Sequence, residues 1–312
     1  MNLQITITGE PGCGKTTVAK LLAEELGLNY VSTGAIQREI ADKRGLTTLE
    51  LNRRAEDDKS IDDQIDAHTR KLAQSRQDVV VDSRLAWHFL PESLKIFLVC
   101  PTEVAAKRVF AEGRNKEQYP SKDLAIASLT QRYESEIARF RKYYGATLSN
   151  LRNFDLVIDT TVASPEVIAK EICAFIRSKT VHPELPRILI SPTSLFPTQA
   201  ITEISLPKLT LVRNHFGLDL LRFGDIGCLR VLRLENVWAI YDGHKRTALA
   251  VDLNRSFLHS TLVGQDDEVI TMGLTVRSFV HRELTWSRIY DWEAAFEMKM
   301  VAYPAFLPPQ NG

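Results

Sequence analysis

The sequence predicts an α/β protein: a doubly wound, five-stranded parallel sheet followed by a second, smaller α+β domain. Three observations carry this reading. A glycine-rich loop joins a strand to a helix near the amino terminus, short β-branched runs alternate with amphipathic stretches through residue 178, and that alternation stops at 178–186 (SKTVHPELP). Strand-helix alternation is the pattern of a parallel sheet covered by helices on both faces. Continuous apolar runs such as VVV and IFLV mark strands buried on both sides.

In chain order the expected strands are 3–8, 28–31, 78–82, 94–99 and 155–159, with helices near 15–26, 35–44, 49–57, 61–75, 102–112, 122–143 and 164–178. Two prolines and a lost helical period make 178–186 a linker. The expected domains are therefore 1–180 and 186–312. The second carries strand candidates at 229–234, 237–241 and 257–263, with a helix at 244–254 between the last two. Its aromatic-rich end, with Tyr290, Trp292, Phe296 and Tyr303, reads as a docking helix and tail that cover core, with a protein-partner surface as the minority alternative.

Bulk properties narrow the function. With 312 residues, 44% apolar and 25% charged, the chain can bury two cores. Lys plus Arg equals Asp plus Glu at 39 each, so no excess positive field draws the molecule onto nucleic acid or an anionic membrane. Small, locally gripped ligands are the expected partners. The four cysteines lack CxxC spacing, which suggests neither a zinc site nor a disulfide framework. No signal-peptide pattern or bilayer-length apolar run is present, so a cytoplasmic protein is expected.

The run Gly9-Glu10-Pro11-Gly12-Cys13-Gly14-Lys15-Thr16 fits the P-loop pattern and has the right context, after a strand and opening a helix. Gly9, Gly12 and Gly14 let the backbone turn tightly so that its N–H groups converge on phosphate oxygens, and the helix N-terminus adds partial positive charge. Lys15 would neutralise the β- and γ-phosphates of ATP and Thr16 would ligate Mg²⁺. Cys13 and Thr17 belong to the same cradle. A glycine turn that merely packs two elements closely is the bland alternative, and the lysine and threonine weigh against it.

On the acceptor side the chain reads Ser32-Thr33-Gly34-Ala35-Ile36-Gln37-Arg38 and, after the third strand, Asp82-Ser83-Arg84-Leu85. In the helix that follows, Arg132, Glu136 and Arg139 share one face at i, i+4 and i+7. A salt-bridge lattice with Glu134 is the rival reading of that face. These segments resemble the cytidylate kinases, especially the archaeal-type branch, over roughly residues 1–178. The resemblance implies a nucleoside monophosphate kinase that moves a phosphoryl group from ATP to CMP, dCMP or a modified cytidylate. Ser32, Gly34 and Arg38 would hold the acceptor, Arg84 would clamp its phosphate, and Asp82 would orient magnesium waters. Arg132 and Arg139 would take phosphate while Glu136, where the family carries Asp or Asn, would contact cytosine. Arg108 and Arg114 would flank the donor, Arg114 from a lid at 112–121.

In the second domain, Asp242-Gly243-His244-Lys245-Arg246 joins a strand to a helix start with basic side chains, the geometry of an anion site. An ordinary capped turn with solvated Lys245 and Arg246 is the alternative. With 190–199 before it, the stretch resembles the ParB/sulfiredoxin superfamily over roughly 187–265, which implies a module that binds a nucleotide or phosphorylated metabolite. Two other readings stay open: a second kinase for a small hydroxyl compound such as free serine, and a nucleotide-gated switch.

Overall fold

The computed structural model describes residues 3–75, 77–112, 121–179, 187–203 and 229–308. The chain divides into two compact units, residues 1–160 with 164–181 and residues 161–163 with 182–312. Arg114 and most of the expected lid lie outside the described residues, as does most of the expected linker.

In the first unit, β1 (Gln4–Gly9), β2 (Asn29–Ser32), β3 (Val79–Asp82), β4 (Leu94–Val99) and β5 (Leu156–Asp159) pair in the order β2-β3-β1-β4-β5. Every pairing is parallel. Val79, Val80 and Val81 are fully buried, as a strand covered on both faces must be. The helices are α1 (Lys15–Leu26), α2 (Thr33–Lys43), α3 (Thr48–Ala55), α4 (Lys59–Ser75), α5 (Ala86–Phe89), α6 (Thr102–Glu112), α7 (Lys122–Tyr144) and α8 (Pro165–Lys179). Their ends follow local chemistry. Gly27 closes α1 at φ 64°, Thr47 and Glu50 form a reciprocal capping box on α3, and Ser121 caps α7.

Register brings the carboxyl ends of four strands together. Ile7 and Ser32 both stand opposite Asp82, and Gly9 stands opposite Leu98. Ligands of open α/β sheets bind at that edge, where loops leave the strands.

The second unit holds a mixed sheet in the order β6-β10-β8-β9-β7. Its strands are β6 (Ile188–Ile190), β7 (Leu195–Phe196), β8 (Leu229–Leu234), β9 (Val237–Asp242) and β10 (Leu258–Gln265). Helix α9 (His244–Asp252) follows β9. A small hairpin, β11 (Val269–Thr271) with β12 (Leu274–Thr275), precedes α10 (Val276–Glu283) and α11 (Trp286–Ala295). Trp292 of α11 is fully buried, so the aromatic end does cover core. The sequence reading lacked β6, β7, the hairpin, α5 and α10. Strands β6 and β7, the hairpin strands and α5, at two to four residues each, are too short for a hydrophobic period to register.

Candidate active site

The glycine loop leaves β1 at Gly9 and enters α1 at Lys15. A Cβ on Gly9 would lie 2.3 Å from the Leu98 carbonyl oxygen, and one on Gly12 would lie 2.7 Å from Ala105 Cβ. Gly12 and Gly14 have φ of 72° and 86°, the left-handed region that glycine adopts without penalty. Glu10 anchors the loop: its Oε2 accepts from Cys100 N at 3.2 Å, while its own N–H donates to Leu98 O. Cys13 is buried, and burial raises its thiol above the usual range, so it is a small packing residue rather than a nucleophile.

Lys15 Nζ donates to Glu10 O at 3.4 Å. Burial, then the Arg84 guanidinium, push its ammonium below the ordinary lysine range. A triphosphate beside it would relieve both effects, because its charge stabilises the protonated amine. Thr16 Oγ1 donates to Asp82 Oδ2 at 2.7 Å, and the Tyr30 hydroxyl donates to the same oxygen at 3.2 Å. A hydroxyl and one carboxylate are hard oxygen donors of the kind Mg²⁺ takes, and such a site is completed by water and substrate phosphates. Among the described residues there is no group of three or more His, Cys, Asp or Glu that could hold a metal ion.

Beside the loop lies a cleft that is open to solvent. From α2 it is lined by Thr33 and Gln37, from the β3–α5 loop by Ser83, Arg84 and Leu85, and from α7 by Glu136, Arg139 and Phe140. Arg84 bridges the two sides, with Nη1 donating to Gly9 O at 2.8 Å and standing 3.3 Å from Glu136 Oε2. Glu136 Oε1 accepts from Arg132 Nε at 3.2 Å. Burial opposes ionisation of Glu136, but Arg84, Arg132 and Lys15 hold it below the usual carboxylate range. Arg139 turns to α4 and α3, with Nε 3.0 Å from Asp62 Oδ2 and Nη1 donating to Asn52 O at 3.2 Å.

Lys15, Thr16, Asp82, Arg84, Arg132, Glu136 and Arg139 thus belong to one connected set. Three acceptor candidates sit differently. Helical periodicity turns Thr33 and Gln37 toward the cleft, so Ser32, Gly34 and Arg38 lie one position round α2 from the lining pair. Ser32 Oγ caps α2 by accepting from Ala35 N, and Arg38 is exposed. Thr17 is exposed too. Arg108 donates to the carbonyl and hydroxyl oxygens of Thr160, just past β5.

Sequence reasoning missed the α4 side of the cleft: Asp62, Asp66 and Thr69, all buried. Their i, i+4, i+7 spacing was the available signal. Burial raises the Asp62 carboxyl to about 6 against the pull of Arg139, and burial raises Asp66 as well. Asp66 Oδ2 accepts from the Tyr144 hydroxyl at 2.6 Å.

In the second unit, Gly243 opens α9 at φ 111°. His244 is buried and its Nε2 accepts from Thr198 N at 3.0 Å; burial lowers its pKa to about 4. With Nε2 accepting from Thr198 N, the imidazole is a hydrogen-bonded core residue of this turn. Asp242 is exposed, and Lys245 and Arg246 are partly exposed.

A glycine-lined phosphate cradle with lysine and threonine at a helix start, facing a cleft rich in arginine, defines a P-loop phosphotransferase. The profile of the Cytidylate kinase-like family matches residues 4–162. The cytidylate kinase of Sulfolobus acidocaldarius is 38% identical over 185 residues, 59% of this chain and 99% of that one. That of Natronomonas pharaonis is 43% identical over 164 residues, 52% of this chain and 83% of that one. A solved shikimate kinase from Bacteroides thetaiotaomicron aligns at TM-score 0.41 and 16% identity over 56% of this chain and 98% of its own. The chain belongs to the cytidylate kinase-like family and is an ATP-dependent phosphotransferase.

Proposed function

We propose that the first unit transfers the γ-phosphoryl group of ATP to a cytidine monophosphate, CMP or dCMP. The observation that carries this reading is Arg84, which joins the glycine loop at Gly9 to the acceptor cleft at Glu136. A guanidinium placed between donor and acceptor offsets the repulsion of two phosphorylated ligands and spreads charge as the phosphoryl group moves.

Loop amides and Lys15 hold the donor phosphates. Arg84, with Arg132 beside it through Glu136, meets the acceptor phosphate. Bound Mg²⁺ would be held by Thr16 and Asp82 and would neutralise charge on the transferring oxygens. The attacking atom is an ionised phosphate oxygen, so no general base is required. Purified chain given Mg-ATP and CMP, dCMP or UMP should release ADP with cytidine diphosphates as products; no product from any of the three overturns the reading.

For the second unit we propose a binding module for a small anionic ligand, as the ParB/sulfiredoxin resemblance implies. Supporting it, the buried Ser194 Oγ and Arg246 Nη1 have no hydrogen-bond partner among the described residues, and Arg246 Nη1 lies 3.6 Å from where a Cβ on Gly243 would sit. A thermal-shift series with nucleoside triphosphates and inorganic phosphate, repeated on Arg246→Ala, tests it. Stabilisation that the substitution leaves unchanged would remove the site from this turn.

A further inference from the structure

Thr160, just past β5, is 1% exposed, and its hydroxyl meets groups from three other segments. Oγ1 stands 3.1 Å from Cys13 O in the glycine loop and 3.2 Å from Val99 O at the end of β4, and it accepts from Arg108 Nη1 of α6 at 3.2 Å. A hydroxyl carries a single proton. Val99 O already accepts the Thr160 amide at 2.8 Å, which leaves that proton for Cys13 O, the nearer acceptor. Arg108 Nη2 donates to Thr160 O as well, so one residue grips both ends of the guanidinium.

The contact with Cys13 aims a neighbouring group. A trans peptide is planar, with its C=O and the following N–H pointing in opposite directions. Tying the Cys13 carbonyl to Thr160 therefore turns the Gly14 N–H away from β5, the direction in which a phosphate cradle needs it. Gly14, at φ 86°, has the backbone freedom to turn either way, so its orientation calls for a fixed anchor. Arg108 lies on the same flank. Ala105, one turn earlier on α6, is what a Cβ on Gly12 would strike at 2.7 Å, so this face of α6 packs on the loop.

We infer that Thr160 is a positioning residue for the ATP donor: its hydroxyl aims the Gly14 amide at the donor phosphates and, through the same atom, holds the Arg108 guanidinium beside the loop. Neither role reaches the acceptor cleft. Loss of the hydroxyl is therefore read in ATP and not in the monophosphate. The inference rests on the donor role of the glycine loop and does not depend on which monophosphate is the acceptor.

The test is calorimetric Kd for Mg-ATP and for CMP, with KM and kcat for CMP phosphorylation, on the full chain as wild type, Thr160→Val and Thr160→Ser. Valine keeps the shape of the side chain and removes its hydrogen bonds. It should weaken Mg-ATP binding about 10-fold, the worth of one net hydrogen bond, and raise KM for ATP in step, with Kd for CMP unchanged. Serine should restore the wild-type values. Combined with Arg108→Ala, Thr160→Val should cost less than the product of the separate losses, because both substitutions release the same guanidinium. Losses that simply multiply overturn the inference. So does a lower melting temperature with Kd for ATP unchanged, which would make Thr160 a packing residue only, and so does equal weakening of ATP and CMP. If Thr160→Val does not fold, Thr160→Cys decides, since a thiol is a weak donor in the hydroxyl's place; undiminished ATP binding then refutes. Wild type that binds ATP but phosphorylates no monophosphate loses the acceptor reading, while the Kd series still judges Thr160; wild type that binds no Mg-ATP overturns both.

Discussion

Arg84 Nη1 stands 3.3 Å from Glu136 Oε2 while donating to the Gly9 carbonyl at 2.8 Å, so one guanidinium ties the phosphate loop to helix α7. The carboxylate is buried and Arg132 holds its other oxygen. Glu136 is therefore the counter-charge that lets two arginines sit close together without a ligand.

Glu136→Ala strands those cations. Breaking a buried ion pair from one side costs about 3–5 kcal/mol, so the melting temperature should drop by many degrees. Inorganic phosphate or CMP should recover part of the loss, because an anion replaces the missing charge. An unchanged melting temperature would show that the pair is not holding the cleft.

The loop glycines separate steric from conformational demands. A Cβ on Gly14 would meet nothing within 4 Å, but φ there is 86°, so Gly14→Ala should cost about 1–2 kcal/mol from backbone strain alone. In Gly9→Ala the new methyl meets the Leu98 carbonyl, which side-chain motion cannot clear, and the loss should reach about 3 kcal/mol or more with ATP binding abolished. Urea denaturation and an ATP titration rank the two; the opposite order would refute the packing argument.

Asp82→Asn keeps an acceptor for Thr16 and Tyr30 but removes the charge. Turnover should fall by about 10²–10³-fold, and the Mg²⁺ concentration for half-maximal rate should rise, with the circular dichroism spectrum unchanged. Lys15→Met should lower turnover comparably with no shift in Mg²⁺ demand.

Stability should respond to pH with opposite signs in the two units. Asp62 has its folded pKa raised to about 6 from 3.8, so the contribution of its protonated form is complete below about 4 and is lost as pH rises through about 6. Asp62→Asn should flatten that slope in melts of the first unit. His244 and His259 are depressed to about 4 from 6.5, chiefly by burial, so their contribution is present above about 6.5 and is lost as pH falls through about 4. NMR titration of both rings should give midpoints near 4; a midpoint near 6.5 for His244 would show that its ring is not held as the acceptor from Thr198.

The parts of this protein readable in one dimension are those whose neighbours in space are neighbours in the chain. The run from Gly9 to Thr16 carries its own turn, cradle and helix start, and VVV and IFLV announce strands buried on both faces. Even Arg132, Glu136 and Arg139 could be placed on one face from helical spacing. Their partners could not. Asp62 and Asp66 look like solvated helix residues beside Asp63, and only the packing of α4 against α7 buries them facing Arg139 and Tyr144.

His244 followed the same logic in reverse. In the sequence it is one letter of the run from Asp242 to Arg246; the approach of Thr198 from a distant segment makes its Nε2 an acceptor. Backbone preference and hydrophobic period act over a few residues, so they fix the loop and the parallel sheet. The charge and role of a buried ionisable group depend on desolvation and on which donors surround it, and those are set only when remote helices meet.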